Sequence, residues 1–406
     1  MRKHTILGIL CLATIFMPGL DLMAFTFEAH PGLYTSYRYT DNYRGAVENE
    51  QRESIYYVGP SLGLTFTSPS TNFDLTGRYT KSFHQNFPED DSPDVHLTTH
   101  ASFTAPRQET RVSYEFVRTL TRDSLDEPFG EVRRNIGDIG YTAALTQNTS
   151  INAGGNIETE KWSTASATAE DLVSSGGNVG VTHQLNPLDT ISLTARRDYF
   201  SYEISQNVIG TQCGLDFRHV FSPVFSLSLG TSYNHDDRGD DPNGDRYDAS
   251  LTGQYTMSPT TIISATGGYS WLIIEQQDRQ ASYIARVSVD KRLKEDRFLL
   301  SIAKEYSTEF TTNRYGTYDT KTASLSWVRQ WLPTWSSSTR LSITKRIASM
   351  GTAGEDEMGS NANISLTWNP IEYFTGELIY EHLQTKYWIS GTARENRYTM
   401  KAEVRY

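Results

Sequence analysis

The chain has 406 residues, a formal net charge of −11 and a mean hydropathy of −0.50. An acidic balance of this size argues against nucleic acid as a partner, because phosphate binding needs a clustered basic face. Two cysteines are too few for a disulfide framework, and no apolar run after the first 20 residues is long enough for a membrane-spanning helix.

The first element is a targeting segment. Arg2-Lys3-His4 precede an apolar run from Ile6 to Met17, then Pro18-Gly19 and a small residue at Ala24. This is the layout of a secretory signal peptide over residues 1–24, leaving 25–406 as the mature chain with Cys213 as its lone cysteine.

After it, the sequence alternates with a period of two, the spacing of a strand with one apolar and one wet face. Phe73, Leu75 and Tyr79 stand against Asn72, Asp74 and Arg78; Phe225, Leu227 and Leu229 stand against Ser226, Ser228 and Gly230. Tyr283, Ala285, Val287 and Val289 stand against Arg286, Ser288 and Asp290, and the closing run sets Tyr398, Met400, Ala402, Val404 and Tyr406 against Thr399, Lys401, Glu403 and Arg405. No later stretch carries a 3.6-residue apolar stripe, so the pattern predicts an all-β chain.

Turns punctuate these runs. Pro69, Pro106, Pro187, Pro223, Pro259, Pro333 and Pro370 fall at intervals of one or two steps of a single period, and Thr146–Thr149 and Lys294–Asp296 mark the midpoints of the double steps. Proline belongs at turns and strand ends, since it has no N–H for a ladder. Longer polar tracts lie on the other side of each strand pair: Asp41–Ser54, Gln85–Asp94, Arg122–Arg134, Trp162–Val173, Tyr202–Asn207, His235–Asp248, Ile274–Ala281, Thr308–Thr317, Ser349–Met358 and Thr385–Asn396. Short turns alternating with long loops and strands of about ten residues describe an outer-membrane barrel. The count predicts a transmembrane antiparallel up-and-down β-barrel of about 20 strands (18 to 20), the short turns facing the periplasm. A propeller would need about ten blades, above the usual four to eight. The barrel is expected to fill 25–406 with no separate soluble domain and no N-terminal plug, residues 25–32 being the only extension ahead of the first strand.

Aromatic residues gather at strand ends, as membrane-interface belts require. Phe66, Phe103, Phe221, Phe225, Phe298, Trp331, Trp335, Trp368 and Phe374 lie toward the turns. Tyr37, Tyr39, Tyr56, Phe83, Phe200, Tyr202, Tyr233, Trp271, Tyr306, Phe310, Tyr387 and Trp388 lie toward the loops.

The opening strand and loop, Tyr34 to Arg44 with Tyr39-Thr40-Asp41-Asn42-Tyr43-Arg44, together with the hairpin series and the aromatic ending, resembles the β-barrel porin type 2 family. That family includes outer-membrane barrels of exopolysaccharide and exosortase-associated gene clusters. The resemblance implies an outer-membrane location, exopolysaccharide as a solute and polysaccharide export components as partners. The final Tyr406 is similar to the C-terminal signal that barrel assembly machinery reads.

Chemistry is sought in the lumen and the loops. The polar phase places Arg78, Arg111, Arg196, Arg218, Arg286, Arg340, Lys401 and Arg405 in the lumen with Asp74, Glu115, Asp216, Asp290, Glu377, Glu381 and Glu403. Signs nearly cancel, whereas a conduit dedicated to polyanions would be basic inside; these ions are expected chiefly to pair across strands. The loops are acidic, with Glu89-Asp90-Asp91 and Glu355-Asp356-Glu357, and are expected to meet outer-membrane lipid and lipopolysaccharide. Asp241, Asn243 and Asp245 set oxygen ligands around Gly244, a pattern compatible with Ca2+ but without EF-hand spacing. No other cofactor is expected. His84, His96 and His100 are a weaker metal candidate. No Gly-x-Ser-x-Gly or His-Glu-x-x-His motif occurs, so an enzyme is not expected. The function predicted is a porin-like channel for passive diffusion or export of hydrophilic solute, the alternative being a structural or surface-interaction barrel.

Overall fold

The computed structural model describes residues 25–43, 50–121, 130–162, 171–203, 207–239, 243–275, 279–311, 314–350, 357–387 and 391–405. Twenty strands account for nearly all of them. In chain order they are β1 Thr26–Thr40, β2 Glu53–Thr67, β3 Thr71–His84, β4 Pro93–Ala105, β5 Gln108–Thr121, β6 Gly130–Ala144 and β7 Thr149–Trp162. Then come β8 Leu172–Gln184, β9 Asp189–Tyr202, β10 Val208–Ser222, β11 Phe225–Asp237, β12 Gly244–Ser258, β13 Thr261–Ile274 and β14 Gln280–Arg292. The last are β15 Asp296–Thr311, β16 Arg314–Leu332, β17 Trp335–Met350, β18 Glu357–Ile371, β19 Phe374–Tyr387 and β20 Gly391–Arg405. A single helical turn, Pro88–Asp90, lies between β3 and β4.

Each strand pairs antiparallel with the next in sequence, and β1 pairs with β20 from Gly32↔Arg405 to Thr40↔Arg397. The sheet is therefore a closed barrel. Closure leaves no strand at the edge of the sheet, where lipid would offer its backbone no hydrogen-bond partners. β1 already starts at Thr26, so the stretch expected as an extension is part of the wall.

Six of the seven evenly spaced prolines lie in the short connections. The seventh, Pro370, lies in β18 within the register irregularity between Trp368 and Ile371, where no partner asks for its N–H. Pro60 uses the same device: β2 pairs with β3 at Val58↔Lys81 and again at Ser61↔Arg78, skipping Gly59 and Pro60. The β3 backbone closes in there, and a Cβ on Gly59 would lie 1.8 Å from the Tyr79 carbonyl oxygen.

Alternation fixes the two faces. Large apolar side chains such as Leu62, Val181, Leu193, Leu229, Leu251, Val287, Ile302 and Ile343 are exposed on one phase, the lipid-facing one. Outward rings meet near both strand ends. At the turn end Phe27–Phe66 centroids are 4.7 Å apart, and Trp335 and Trp368 stack at 5.6 Å. At the loop end Tyr37–Tyr56 and Tyr233–Tyr247 each lie 5.0 Å apart.

Among the members of the expected loop-end belt whose side chains are described, three are elsewhere. Phe200 and Tyr202 pair with Val208, Ser174 and Leu172 on the inward phase, and Tyr306 is buried inside. Several predicted loops are strand. β6 begins at Gly130, β12 begins at Gly244, β15 and β16 run to Thr311 and from Arg314, and β19 and β20 reach Tyr387 and Gly391. Where strands project beyond the lipid both faces are wet, so alternation fades while the backbone ladder continues. Residues 1–24, Asp241, Trp388 and Tyr406 lie outside the described residues.

Candidate functional site: the barrel lumen

The phase opposite the exposed apolar side chains lines the lumen. By register it carries Arg78, Arg111, Glu115, Arg196, Arg218, Arg286, Asp290, Arg340, Glu377, Lys401, Glu403 and Arg405. Most are paired. Arg111 Nε reaches Glu109 at 2.7 Å, Arg196 Nε reaches Asp198 at 2.6 Å, and Arg405 Nε reaches Glu403 at 3.0 Å. Lys401 Nζ reaches Glu377 at 3.0 Å, His96 meets Glu115 at 3.0 Å, and Arg286 pairs with Glu305. Asp290 is bracketed by Arg292 at 2.9 Å and Arg297 at 3.2 Å. Arg78 lies 4.3 Å over the Tyr34 ring, and Arg218 donates to Ser226 Oγ at 3.2 Å. Arg340 is exposed and, among the described residues, has no ion-pair partner.

On the turn-end half, the inner faces of β3 to β9 enclose a recess of about 600 Å³. Asn72, Asp74, His100, Ser102, Arg111, Ser113, Asp138, Asn156, Asn178 and Arg196 line it. Gly140 adds depth, since nothing stands within 4 Å of where its Cβ would be. Donors and acceptors of both signs are interleaved, a surface suited to hydrated or hydroxyl-rich solute rather than to an apolar one.

The loop-end half is packed. Among the described residues most of the buried ones lie toward the loops, including Ile55, Val132, Ser174, Val208, Leu272, Ile274 and Ala393. Two carboxylates organise one side of this mouth, and both escaped sequence reading. Glu53, 0 % exposed, accepts through Oε1 from the backbone N–H groups of Ser54 at 2.9 Å, Gln85 at 2.7 Å and Asn86 at 3.1 Å. Glu395 accepts from Thr40 Oγ1 at 2.8 Å and Arg397 Nε at 2.7 Å. The signal for Glu395 is the Glu395, Arg397, Thr399, Lys401 alternation, which continues beyond the point where the tract looks like loop.

The acidic loop at Glu89-Asp90-Asp91 turns partly inward: Asp90 accepts from Tyr43 Oη at 3.1 Å, and Asp91 accepts from the His84 N–H at 2.6 Å. Tyr43 stacks on Phe87 with centroids 5.3 Å apart. For the calcium candidate, Asn243 Oδ1 accepts from the Arg238 N–H at 3.0 Å, while Asp245 Oδ1 accepts from Tyr233 Oη at 2.7 Å and meets His235 at 2.9 Å. His84, His96 and His100 are not brought together, and no metal-binding cluster forms among the described residues.

The sequence matches no protein-family model and no curated protein. Solved structures do match the fold. The FrpB iron transporter from Neisseria meningitidis aligns with a TM-score of 0.60 at 8% identity, covering 93% of this chain and 83% of that one. The ferric enterobactin receptor PfeA from Pseudomonas aeruginosa aligns at 0.58 and 7% identity, covering 93% and 81%. The siderophore receptor PirA, also from Pseudomonas aeruginosa, aligns at 0.53 and 12% identity, covering 93% and 80%. The chain thus has the architecture of an outer-membrane β-barrel.

Proposed function

We propose that this barrel sits in the outer membrane as a porin-like channel for a hydrophilic solute. The observation that carries the reading is the closed wall with an apolar outer phase and a polar, largely charge-paired inner phase opening into the recess at the turn end. Exopolysaccharide is the solute suggested by the sequence resemblance, and the interleaved amides, carboxylates and guanidinium groups of the recess suit its hydroxyl groups. Polysaccharide export components, lipopolysaccharide and the assembly machinery acting on Tyr406 are the partners that follow from the same reading. Refolded protein in a planar bilayer should give stable conductance steps. Absence of steps in correctly folded protein would sink the channel reading.

One observation favours a non-conducting structural barrel: the packed loop end, with Leu272 and Ala393 at 1% and 0% exposure. The same bilayer measurement separates the two.

A further inference from the structure

Most strands are laddered to both neighbours over most of their length, but β14 and β15 part early. Their register runs from Arg292↔Arg297 to Ala285↔Lys304 and stops. β14 continues paired to β13 as far as Gln280, and β15 continues paired to β16 as far as Thr311. Beyond Lys304, then, β15 has left β14.

Where it has gone is shown by Tyr306. Continuing the register would set Tyr306 opposite Tyr283, a 55% exposed residue on the lipid-facing phase. Instead Tyr306 Oη donates to Gln280 Oε1 at 2.5 Å, and its carbonyl accepts from Arg246 Nη1 at 3.4 Å. Its ring joins Leu272 and Ile274 in a buried apolar cluster. Gln280, Arg246, Leu272 and Ile274 all belong to the inward phases of β14, β12 and β13. A ring on the outward phase of β15 reaches them only if its strand lies inside the wall.

Lys304 marks the crossing point. It is 11% exposed, and its Nζ donates to Ser282 Oγ at 2.7 Å and the Tyr283 carbonyl at 3.3 Å while pairing with Asp319 at 3.1 Å. Lys304 and Asp319 lie on the outward phase by register. The ammonium also lies 3.5 Å from the Tyr283 ring centroid, so it sits at the edge of β14 that β15 has vacated, and polar partners there spare it the cost of a bare lipid-facing charge.

We propose that β15 beyond Lys304, as far as Thr311, with the β16 residues laddered to it, is an internal flap that overlaps the inner face of β12 to β14 and narrows the channel there. Its placement stands on the register and the Tyr306 contacts; its effect on flow rests on the channel reading above. Two measurements test it.

In a Cys213→Ser background, Gln280→Cys with Tyr306→Cys should be joined by a short bismaleimide in the assembled barrel. If β15 stayed in the wall, the two thiols would face opposite sides and no link would form, which overturns the placement. In a bilayer, replacing residues 307–318 by Asn-Gly should raise conductance about two-fold or more, as widening a constriction does. Tyr306→Ala, which keeps chain length, should raise it less. Unchanged conductance in the shortened barrel beside a conducting parent overturns the flap as constriction and leaves the channel reading intact. A silent parent with a conducting shortened barrel supports the flap as the closure. Silence in both overturns the constriction together with the channel reading, while the crosslink still reports where the hairpin lies.

Discussion

At the scale of single residues, this wall depends on positions where backbone crowds backbone or where one carboxylate gathers several donors. Gly59 is of the first kind. Alanine there would set a Cβ 1.8 Å from the Tyr79 carbonyl and 2.8 Å from the Thr80 Cα, so β2 and β3 must move apart. Gly59→Ala is expected to destabilise the barrel by ~1–3 kcal/mol, seen as a lower urea midpoint of the refolded protein. Glu53 is of the second kind. Glu53→Ala strips an acceptor from the N–H groups of Gln85 and Asn86, with a cost of about 1–3 kcal/mol, and should expose the β3–β4 loop to protease, whereas Glu53→Gln keeps an acceptor and should be milder. Arg340 and Arg286 make a contrasting pair in the lumen: Arg286 is neutralised by Glu305, and Arg340 has no ion-pair partner among the described residues. Arg340→Gln should therefore move the reversal potential in a salt gradient toward cation preference more than Arg286→Gln does. Equal shifts would mean that pairing does not decide selectivity here. The inward placement of both arginines follows from the period-two pattern, but their difference does not, because Glu305 lies in a strand whose local course alternation does not reveal.

At the scale of elements, strand existence was legible and strand extent was not. The ruler of prolines places the short turns because a residue without an N–H marks a ladder's end whatever the tertiary context. Loop ends are hidden where polar residues occupy both phases, as at His235–Asp237, Gly244–Asp248, Thr308–Thr311 and Arg314–Thr317, since the strand continues there without an apolar face to announce it. The same blindness hid the parting of β14 and β15. Its one sequence trace is the outward-phase run of Lys304, Asp319 and Lys321 where apolar residues would be expected. Hydrogen exchange offers a direct check: amides of Gln280 to Ile284 that point toward β15 should exchange faster than the corresponding amides from Arg286 to Asp290, which β15 covers. Equal protection would mean that the two strands stay zipped.

At the scale of the whole molecule, the sequence by itself determined the class, the approximate strand number and which phase of each strand is apolar. Period-two patterning with regular turns admits only an antiparallel sheet, and a wall wet on one face and apolar on the other must close in lipid because an open edge has no water to satisfy it. What only the tertiary structure decided is how the two ends of the lumen differ. The turn end holds the open polar recess, and the loop end is filled by Tyr43, Glu53, Glu395, Leu272 and the tucked Tyr306. Facing direction is a local property, fixed residue by residue by the pleat. Whether an inward side chain meets water or another strand depends on which distant segment folds across it, and that is a property of closure that no local pattern encodes.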